Sequence, residues 1–314
     1  MTGRSKSRVG LDIGSHFVKL VEISGTSEKP VLVSFGLKDI RNSPKGVVVE
    51  AIRALASENK VPFKNCCISL SGSSLVARIL SLPKMTDEEL KNAVKFETEK
   101  FIPFDINECV LDFHVQSDGI KGKEGLDVLL AAAKKELVMQ KVKIAEEAGF
   151  SVNIVDVDSF AISNAFWKNF PPVKSSKVTA LLNIGSVCTN LVVIKGDIIA
   201  FVRDMPIGSS EMAAGKNDES AGFAKDVLAR LLDEVKLSFG YYENQSGRGI
   251  DDIYISGGGV YLPELEDAFS GILGSKVNGW NPFQFLKIDS SRIDIAALDK
   301  TRSSFAVAVG LALR

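Results

Sequence analysis

Apolar residues near the start of the chain fall into two short runs with a small polar break between them. Residues 9–13 form the first run and residues 18–23 the second, and Gly14 and Ser15 lie between them. The runs are rich in β-branched residues, and a Gly-Ser pair is typical of a tight turn. This pattern predicts a β-hairpin with Asp12 close to its turn.

The same pattern returns 171 residues later. Residues 181–184 and 189–194 are again apolar, Gly185 and Ser186 lie between them, and Asn183 takes the place of Asp12. A repeat at so wide a spacing favours two lobes of related fold over a short-period solenoid. Chance similarity of two hydrophobic hairpins is the alternative explanation.

Residues 45–150 lie between the two hairpins and are predicted to form a unit of their own. Thr86 and Glu89 have the spacing of a capping box, so a helix should begin at residue 87 and stop before Pro103. A second helix, from Glu136, should end at Gly149. The unit is also expected to hold a helix over residues 47–59 and strands over residues 66–70, 75–82, 110–115 and 128–132.

The end of the chain predicts a long amphipathic helix, a glycine loop and a closing helix. Residues 253–256 read as a buried strand that runs into Gly257, Gly258 and Gly259, and residues 305–313 are apolar throughout. The amphipathic helix carries its core residues at helical spacing, namely Leu228, Leu231, Leu232, Val235, Phe239 and Tyr242.

Composition excludes several classes of protein. Hydrophobic residues make up 45% of the chain and charged residues 25%, which is typical of a globular protein, and the net charge of −1 gives no reason to expect nucleic acid or anionic lipid. The four cysteines lack metal-ligand spacing. Polar residues interrupt the most apolar stretch, residues 178–194, so we expect a soluble cytoplasmic protein that reaches a membrane only through a partner.

The hairpin turns and the glycine loop are candidates for phosphate binding. A Gly-Ser turn presents backbone N–H groups without side-chain obstruction, and Lys19 could add a positive charge. Asp12 cannot bind phosphate directly, but it could hold Mg²⁺ through water. Three successive glycines would let the backbone pack flat against a nucleoside. Each of these signals is weak by itself, but their order in one chain makes the prediction of a phosphate-binding cleft stronger.

That ordered set resembles the actin-like ATPases, in which two phosphate loops and an adenosine loop converge on one cleft. The resemblance implies an α/β protein with the two-lobed actin-like fold, a duplicated ribonuclease H-like fold, and ATP and Mg²⁺ as cofactors. The first phosphate loop would be Asp12, Gly14, Ser15 and Lys19, the second Asn183, Gly185, Ser186 and Thr189, and the adenosine loop Gly257, Gly258 and Gly259, with Asp12 and Asn183 at the metal.

Within that class the chain is similar to the PilM family of type IV pilus assembly proteins. The likeness rests on residues 82–85 (LPKM), 101–104 (FIPF), 111–113 (LDF), 148–150 (AGF), 155–158 (VDVD) and 310–314 (GLALR). It implies an inserted α+β subdomain of the 1C type, shared with the division protein FtsA. This subdomain would help form a groove for the cytoplasmic N-terminal peptide of PilN, an inner-membrane protein. Contacts with pilus motor ATPases, with further copies of the chain, and a role in twitching motility are also implied.

The resemblance divides the chain into four parts. Lobe 1 would have its core (1A) in residues 1–44, 151–176 and 303–314, with residues 45–150 as the insertion (1C). Lobe 2 would have its core (2A) in residues 177–208 and 250–302, with a trimmed helical part (2B) in residues 209–249.

Two departures from the family pattern concern ATP turnover. Asn183 stands where the second phosphate loop usually carries Asp, which implies weaker Mg²⁺ binding, and subdomain 2B is short. We therefore expect hydrolysis to be very slow or absent. Three other functions stay open at this point: a platform protein of a type II secretion system, an FtsA-like division protein, and a small-molecule kinase.

Overall fold

The computed structural model describes residues 7–117, 125–171, 177–213, 221–262, 265–273 and 276–314. Its strands are β1 (Arg8–Ile13), β2 (Phe17–Gly25), β3 (Pro30–Asp39), β4 (Asn65–Leu70), β5 (Leu75–Leu82), β6 (Cys109–Ser117), β7 (Leu126–Lys134), β8 (Ser151–Val157), β9 (Val178–Ile184), β10 (Thr189–Lys195), β11 (Ile198–Met205), β12 (Asp252–Ser256), β13 (Val277–Gly279) and β14 (Lys287–Ile288). Its helices are α1 (Lys45–Glu58), α2 (Asp87–Glu99), α3 (Lys135–Glu147), α4 (Asp158–Asn169), α5 (Ser209–Ala213), α6 (Ala221–Ser246), α7 (Leu265–Leu273), α8 (Ile295–Thr301) and α9 (Ala306–Ala312).

Two of the sheets repeat one topology. The first has the order β14-β3-β2-β1-β4-β8, and the second has the order β11-β10-β9-β12-β13. In each, an antiparallel hairpin continues into a third antiparallel strand on one side and into parallel strands on the other. The prediction of two lobes with related fold is confirmed, because the five shared positions match strand for strand.

Helices α4 and α9 fill the space between the two sheets. Their apolar residues pack in one core with residues from both hairpins, including Val21 and Val192. At the crossing of α4 and α9, a Cβ on Gly310 would lie 1.8 Å from the carbonyl oxygen of Ala161. The helices therefore approach to a distance that only glycine permits at this position.

The predicted insertion, residues 45–150, is longer than the separate part that the structure shows. Strand β4 pairs in parallel with β1 and β8 in the first sheet, and its apolar run is buried as the centre of a parallel sheet requires. Helices α1 and α3 pack on the same sheet. The separate part is the three-stranded sheet β5-β7-β6 with α2, which lies within residues 71–134. Strand β14, expected in lobe 2, pairs with β3 in the first sheet.

Helix boundaries agree with the capping signals. The Thr86 hydroxyl accepts a hydrogen bond from the Glu89 amide, and the Glu89 carboxylate accepts one from the Thr86 amide at 2.9 Å. Gly149, directly after α3, has a φ of 103°, as a left-handed helix cap requires. None of the helices in the described ranges is both long and apolar enough to cross a bilayer.

The small sheet also contacts the second lobe. The Gln116 side-chain amide donates to the Ile199 carbonyl and accepts from its N–H, both at 2.9 Å. At the other end of β11, the Asp204 carboxylate accepts from the Gly72 amide at 2.9 Å. Strand β11 is therefore anchored at both ends to the insertion, which places three parts of the molecule side by side.

Candidate functional site

The two hairpin turns meet between the lobes. One cavity is lined by Asp12, Gly14, Ser15 and Lys19 of the first hairpin and by Asn183, Gly185 and Ser186 of the second. The two turns thus converge as predicted, whereas the triple glycine, predicted to join them, is not among the residues that line this cavity. The cavity measures about 70 Å³, whereas small-molecule sites usually measure roughly 300–1,000 Å³. In this structure the cavity is therefore too small to hold a nucleotide.

Two lysine side chains bind to the first loop. Lys19 and Asp12 are cross-strand neighbours in the hairpin, and the Lys19 Nζ lies 2.7 Å from the Asp12 Oδ2. Lys141 of α3 donates a hydrogen bond to the Ile13 carbonyl. Burial lowers the pKa of Lys141, while the nearby carboxylates of Asp158 and Asp12 oppose that shift. The carboxylate expected to hold Mg²⁺ is therefore already engaged by a cation.

Asn183, the second predicted metal residue, belongs to a buried hydrogen-bond chain. Its Oδ1 accepts from the Ser256 hydroxyl at 3.3 Å, and its Nδ2 donates to the Asn190 Oδ1 at 3.0 Å. Asn190 in turn donates to the Asp204 Oδ1 at 2.8 Å. Because both ends of the Asn183 amide bind protein, and Asp12 pairs with Lys19, this donor set does not fit a resident Mg²⁺ ion.

Thr189 and the triple glycine take structural positions. The Thr189 hydroxyl is fully buried and donates to the Ile207 carbonyl at 2.8 Å, so it does not face the cleft. Gly257 has a φ of 92°, and a Cβ there would lie 2.4 Å from the Ile184 carbonyl oxygen. Gly259 packs against the side chain of the same isoleucine. Gly258 is exposed, so it is the residue of this loop that remains open to a ligand.

Asp158 is a cleft residue that the sequence did not identify as part of the site. It begins α4 and lines the cavity beside Asp12. Burial, followed by repulsion from Asp12, raises the pKa of Asp158 to about 7, against hydrogen bonds from Ser69 and Ser71 that lower it. A carboxylate directly after the end of a β-strand was the available signal. Lys141 and Asp204 were also missed, because no local motif marks them.

A much larger groove of about 570 Å³ lies between the small sheet, lobe 1 and lobe 2. One wall is a face of the small sheet, where Asp112 and His114 of β6 stand opposite Ala131 and Leu129 of β7. The opposite wall is β8, of which the four successive residues 154–157 all line the groove. Successive residues of a strand can line one groove only if its edge is turned toward it. Strand β8 ends its sheet, so that edge has no partner strand among the described residues.

The groove offers both apolar and charged contacts. Ile154 is 39% exposed, and the rings of Phe160 and Trp167 are half-buried along the α4 side. The buried Asp156 carboxylate forms a bidentate pair with the Arg314 guanidinium, at 2.6 and 2.8 Å. The groove therefore combines apolar contacts with a charge-neutralised, bidentate ion pair.

Three of the family-typical segments meet at this groove. They are residues 111–113, 155–158 and 310–314, which contribute Asp112, Asp156 and Arg314. The segment 101–104 lies elsewhere, because Phe101, Ile102 and Phe104 pack in the core of the insertion. That segment stabilises the insertion and does not line the groove.

Comparisons with known proteins show the fold and the family of the chain. A solved structure described as the PilM–PilN type IV pilus biogenesis complex is 27% identical, covers 98% of each chain and has a TM-score of 0.86. Ethanolamine utilization protein EutJ from Carboxydothermus hydrogenoformans is 13% identical over 98% of this chain and 89% of its own, with a TM-score of 0.53. A Bacteroides thetaiotaomicron protein with an actin-like ATPase fold is 7% identical over 94% and 95%, with a TM-score of 0.51.

The last two likenesses show the fold alone, which is the actin-like fold that the sequence predicted. The family model described as type IV pilus assembly protein PilM matches residues 10–226 and 217–314, which is nearly the whole chain. A match of that extent favours pilus assembly over a secretion platform, a division protein or a kinase. The chain belongs to the PilM family of type IV pilus assembly proteins.

Proposed function

We propose that this protein is a scaffold of type IV pilus assembly that holds an extended peptide of a membrane partner in the groove between β8 and the small sheet. The partner would be a PilN-like inner-membrane protein, and the peptide its cytoplasmic N-terminus. The observation that carries the proposal is the free edge of β8 beside a groove of about 570 Å³. The related solved complex contains PilM and PilN together.

The geometry favours an extended peptide over a helix. A free strand edge presents unpaired N–H and C=O groups, and a peptide can add to it as a further strand. Its side chains would then lie on Ile154 and on the rings of Phe160 and Trp167. Main-chain hydrogen bonds would supply affinity, and the apolar contacts would supply selectivity.

Attachment to this peptide would place the protein at the cytoplasmic face of the inner membrane. The partner would span the bilayer, while the present chain would bind only the segment that emerges from it. Recruitment of this kind needs no apolar helix of this chain. None of the helices in the described residues is long and apolar enough to cross a bilayer.

In the proposed function, nucleotide binding is secondary to peptide binding. The small cavity and the engaged side chains of Asp12 and Asn183 support an ATP-type cleft whose turnover is very slow or absent. If ATP binds, it would act as a structural ligand that stabilises one arrangement of the lobes by mass action. Phosphate release at the rate of a buffer blank is the expected result, and many turnovers per minute would contradict it.

Calorimetric titration of the full chain with a synthetic N-terminal peptide of the PilN-type protein from the same organism tests the groove. Replacing Ile154 by Asp should weaken binding fivefold or more, because a charge would be buried beneath the peptide. Leu237→Asp is the matched control, since Leu237 is 62% exposed on α6 and lies outside the groove. Equal binding by both variants would refute the assignment of the groove.

A further inference from the structure

The charges at the mouth of the groove are not balanced. Asp112, Asp156 and Asp197 all line it, and Arg314 neutralises Asp156. In the ranges that the structure describes, neither Asp112 nor Asp197 takes part in an ion pair within 4 Å. Both are exposed. Two carboxylates therefore face the groove without an ion-pair partner among the residues that the structure describes.

The two carboxylates come from different parts of the molecule. Asp112 lies on the groove face of β6, opposite Ala131, and its Oδ1 accepts a hydrogen bond from the Phe113 amide at 2.9 Å. Asp197 lies in the turn between β10 and β11 of the second lobe. That turn is fixed against lobe 1, because the Trp167 indole donates to the Gly196 carbonyl at 2.9 Å. The two acids are therefore held on separate walls of one groove.

We propose that Asp112 and Asp197 select a basic side chain, Lys or Arg, on the extended peptide that occupies the groove. The inference rests on the proposed function, since it names the chemistry that this groove recognises. A strand lying along β8 presents alternate side chains toward the face of the small sheet, which is where Asp112 stands. A long basic side chain at such a position can place its charge between the two walls while its aliphatic stem covers Leu129 and Ala131.

The expected loss of peptide affinity on removing either carboxylate is small, because both carboxylates are exposed. Charge pairs at an exposed rim contribute little to affinity but steer the encounter, and salt screens them. Each Asp→Asn substitution should therefore weaken peptide binding about two- to fivefold. The loss should fall mainly on the association rate and should shrink at high salt.

Stopped-flow kinetics with the labelled PilN-type N-terminal peptide test this inference at 50 and 500 mM salt. Asp112→Asn, Asp197→Asn and the double variant should associate more slowly than wild type at low salt, and all should converge at high salt. The matched control is Asp233→Asn, which removes one exposed acid on α6 outside the groove and should leave the rate unchanged. A peptide with every Lys and Arg replaced by Gln should bind wild type as weakly as the double variant binds the native peptide.

The outcomes separate the inference from the function on which it rests. If the native peptide does not bind wild type, the proposed function and the inference both fail. If it binds, but the acid variants and the Gln peptide keep the wild-type rate and salt dependence, the inference alone is overturned. Asp112→Lys with a peptide whose basic residues are changed to Glu should recover part of the lost rate. This recovery distinguishes charge selection from damage to the groove.

Discussion

At the residue scale, the two hairpins carry a polar pair at the same cross-strand position, but the chemistry of the pair differs. Asp12 stands opposite Lys19 in β1 and β2, and Asn183 stands opposite Asn190 in β9 and β10. The first pair is an ion pair, whereas the second is a neutral amide pair that continues to Asp204. Both pairs are largely buried beside the cleft. The Asn at position 183 is thus explained by its own hydrogen bonds, without reference to a metal.

Asn183→Asp is expected to destabilise the protein, although the family pattern alone would predict a repaired metal site. The substitution removes the side-chain donor to Asn190. It also places a charge at a position where the native residue is only 8% exposed. We expect a loss of about 1–3 kcal/mol in the free energy of unfolding, measured by urea denaturation. Asn92→Asp, on the exposed side of α2, is the control and should have little effect. A Mg²⁺-dependent gain in stability would contradict this expectation.

The raised pKa of Asp158 predicts a pH dependence of stability. The folded protein holds this proton up to about pH 7, whereas the unfolded chain releases it near the ordinary aspartate pKa of 3.8. This contribution to stability is therefore greatest at low pH, falls as pH rises from about 4 to about 7, and is then constant. One proton gives a slope of at most about 1.4 kcal/mol per pH unit.

Urea denaturation at pH 5, 6, 7 and 8 checks this dependence. Asp158→Asn should remove the falling contribution, so its stability relative to wild type should increase between pH 5 and pH 7. Asp233→Asn should follow the wild-type curve, since that carboxylate is exposed. Parallel curves for wild type and Asp158→Asn would show that Asp158 titrates normally.

At the scale of elements, helices α4 and α9 hold the two sheets together through a close crossing. The crossing depends on small residues, and the backbone of Gly310 lies directly against the carbonyl of Ala161. The residues of α9 are all buried, so the helix cannot shift outward without exposing them. The glycine of the family-typical segment 310–314 is therefore explained by packing, and its arginine by the pair with Asp156.

Gly310→Ala should destabilise the fold by about 1–3 kcal/mol or more, because the added Cβ would lie 1.8 Å from a backbone oxygen. Gly240→Ala in α6 is the matched control, since no heavy atom lies within 4 Å of its added Cβ. That control should stabilise the protein by about 0.5–1 kcal/mol through lower backbone entropy of the unfolded chain. Similar denaturation midpoints for the two variants would contradict the close helix crossing.

The sequence predicted the elements better than their grouping. Strands, the Thr86 cap and the repeated hairpin carry local signals, so they were predicted close to their observed bounds. The limits of the insertion were not, because β4 pairs with β1 and β8 through contacts between distant segments. Lys141 and Asp158 were missed for the same reason: tertiary packing alone brings them to Asp12. The groove likewise has no local pattern, since its walls come from separate parts of the chain.

At the scale of the whole molecule, the insertion joins the two lobes on the side where the groove opens. Strand β11 of lobe 2 is tied to the insertion through Gln116 and through the backbone of Gly72. Lobe 1 contributes β8 and α4, so a peptide in the groove would touch all three parts. The phosphate-loop cavity lies between the same lobes but measures only about 70 Å³. The groove of about 570 Å³ therefore offers far more room than the phosphate-loop cavity of about 70 Å³, which is why we place the proposed peptide there.

Hydrogen–deuterium exchange of the full chain, with and without saturating PilN-type N-terminal peptide, tests this account most directly. Among residues 154–157, the amides that do not already pair with β4 should show the greatest added protection, because a strand added to the free edge of β8 would pair with them. Helix α6, which lies outside the groove, should exchange as before. Protection confined to α6 or to the two phosphate-loop hairpins, with residues 154–157 unchanged, would contradict the account.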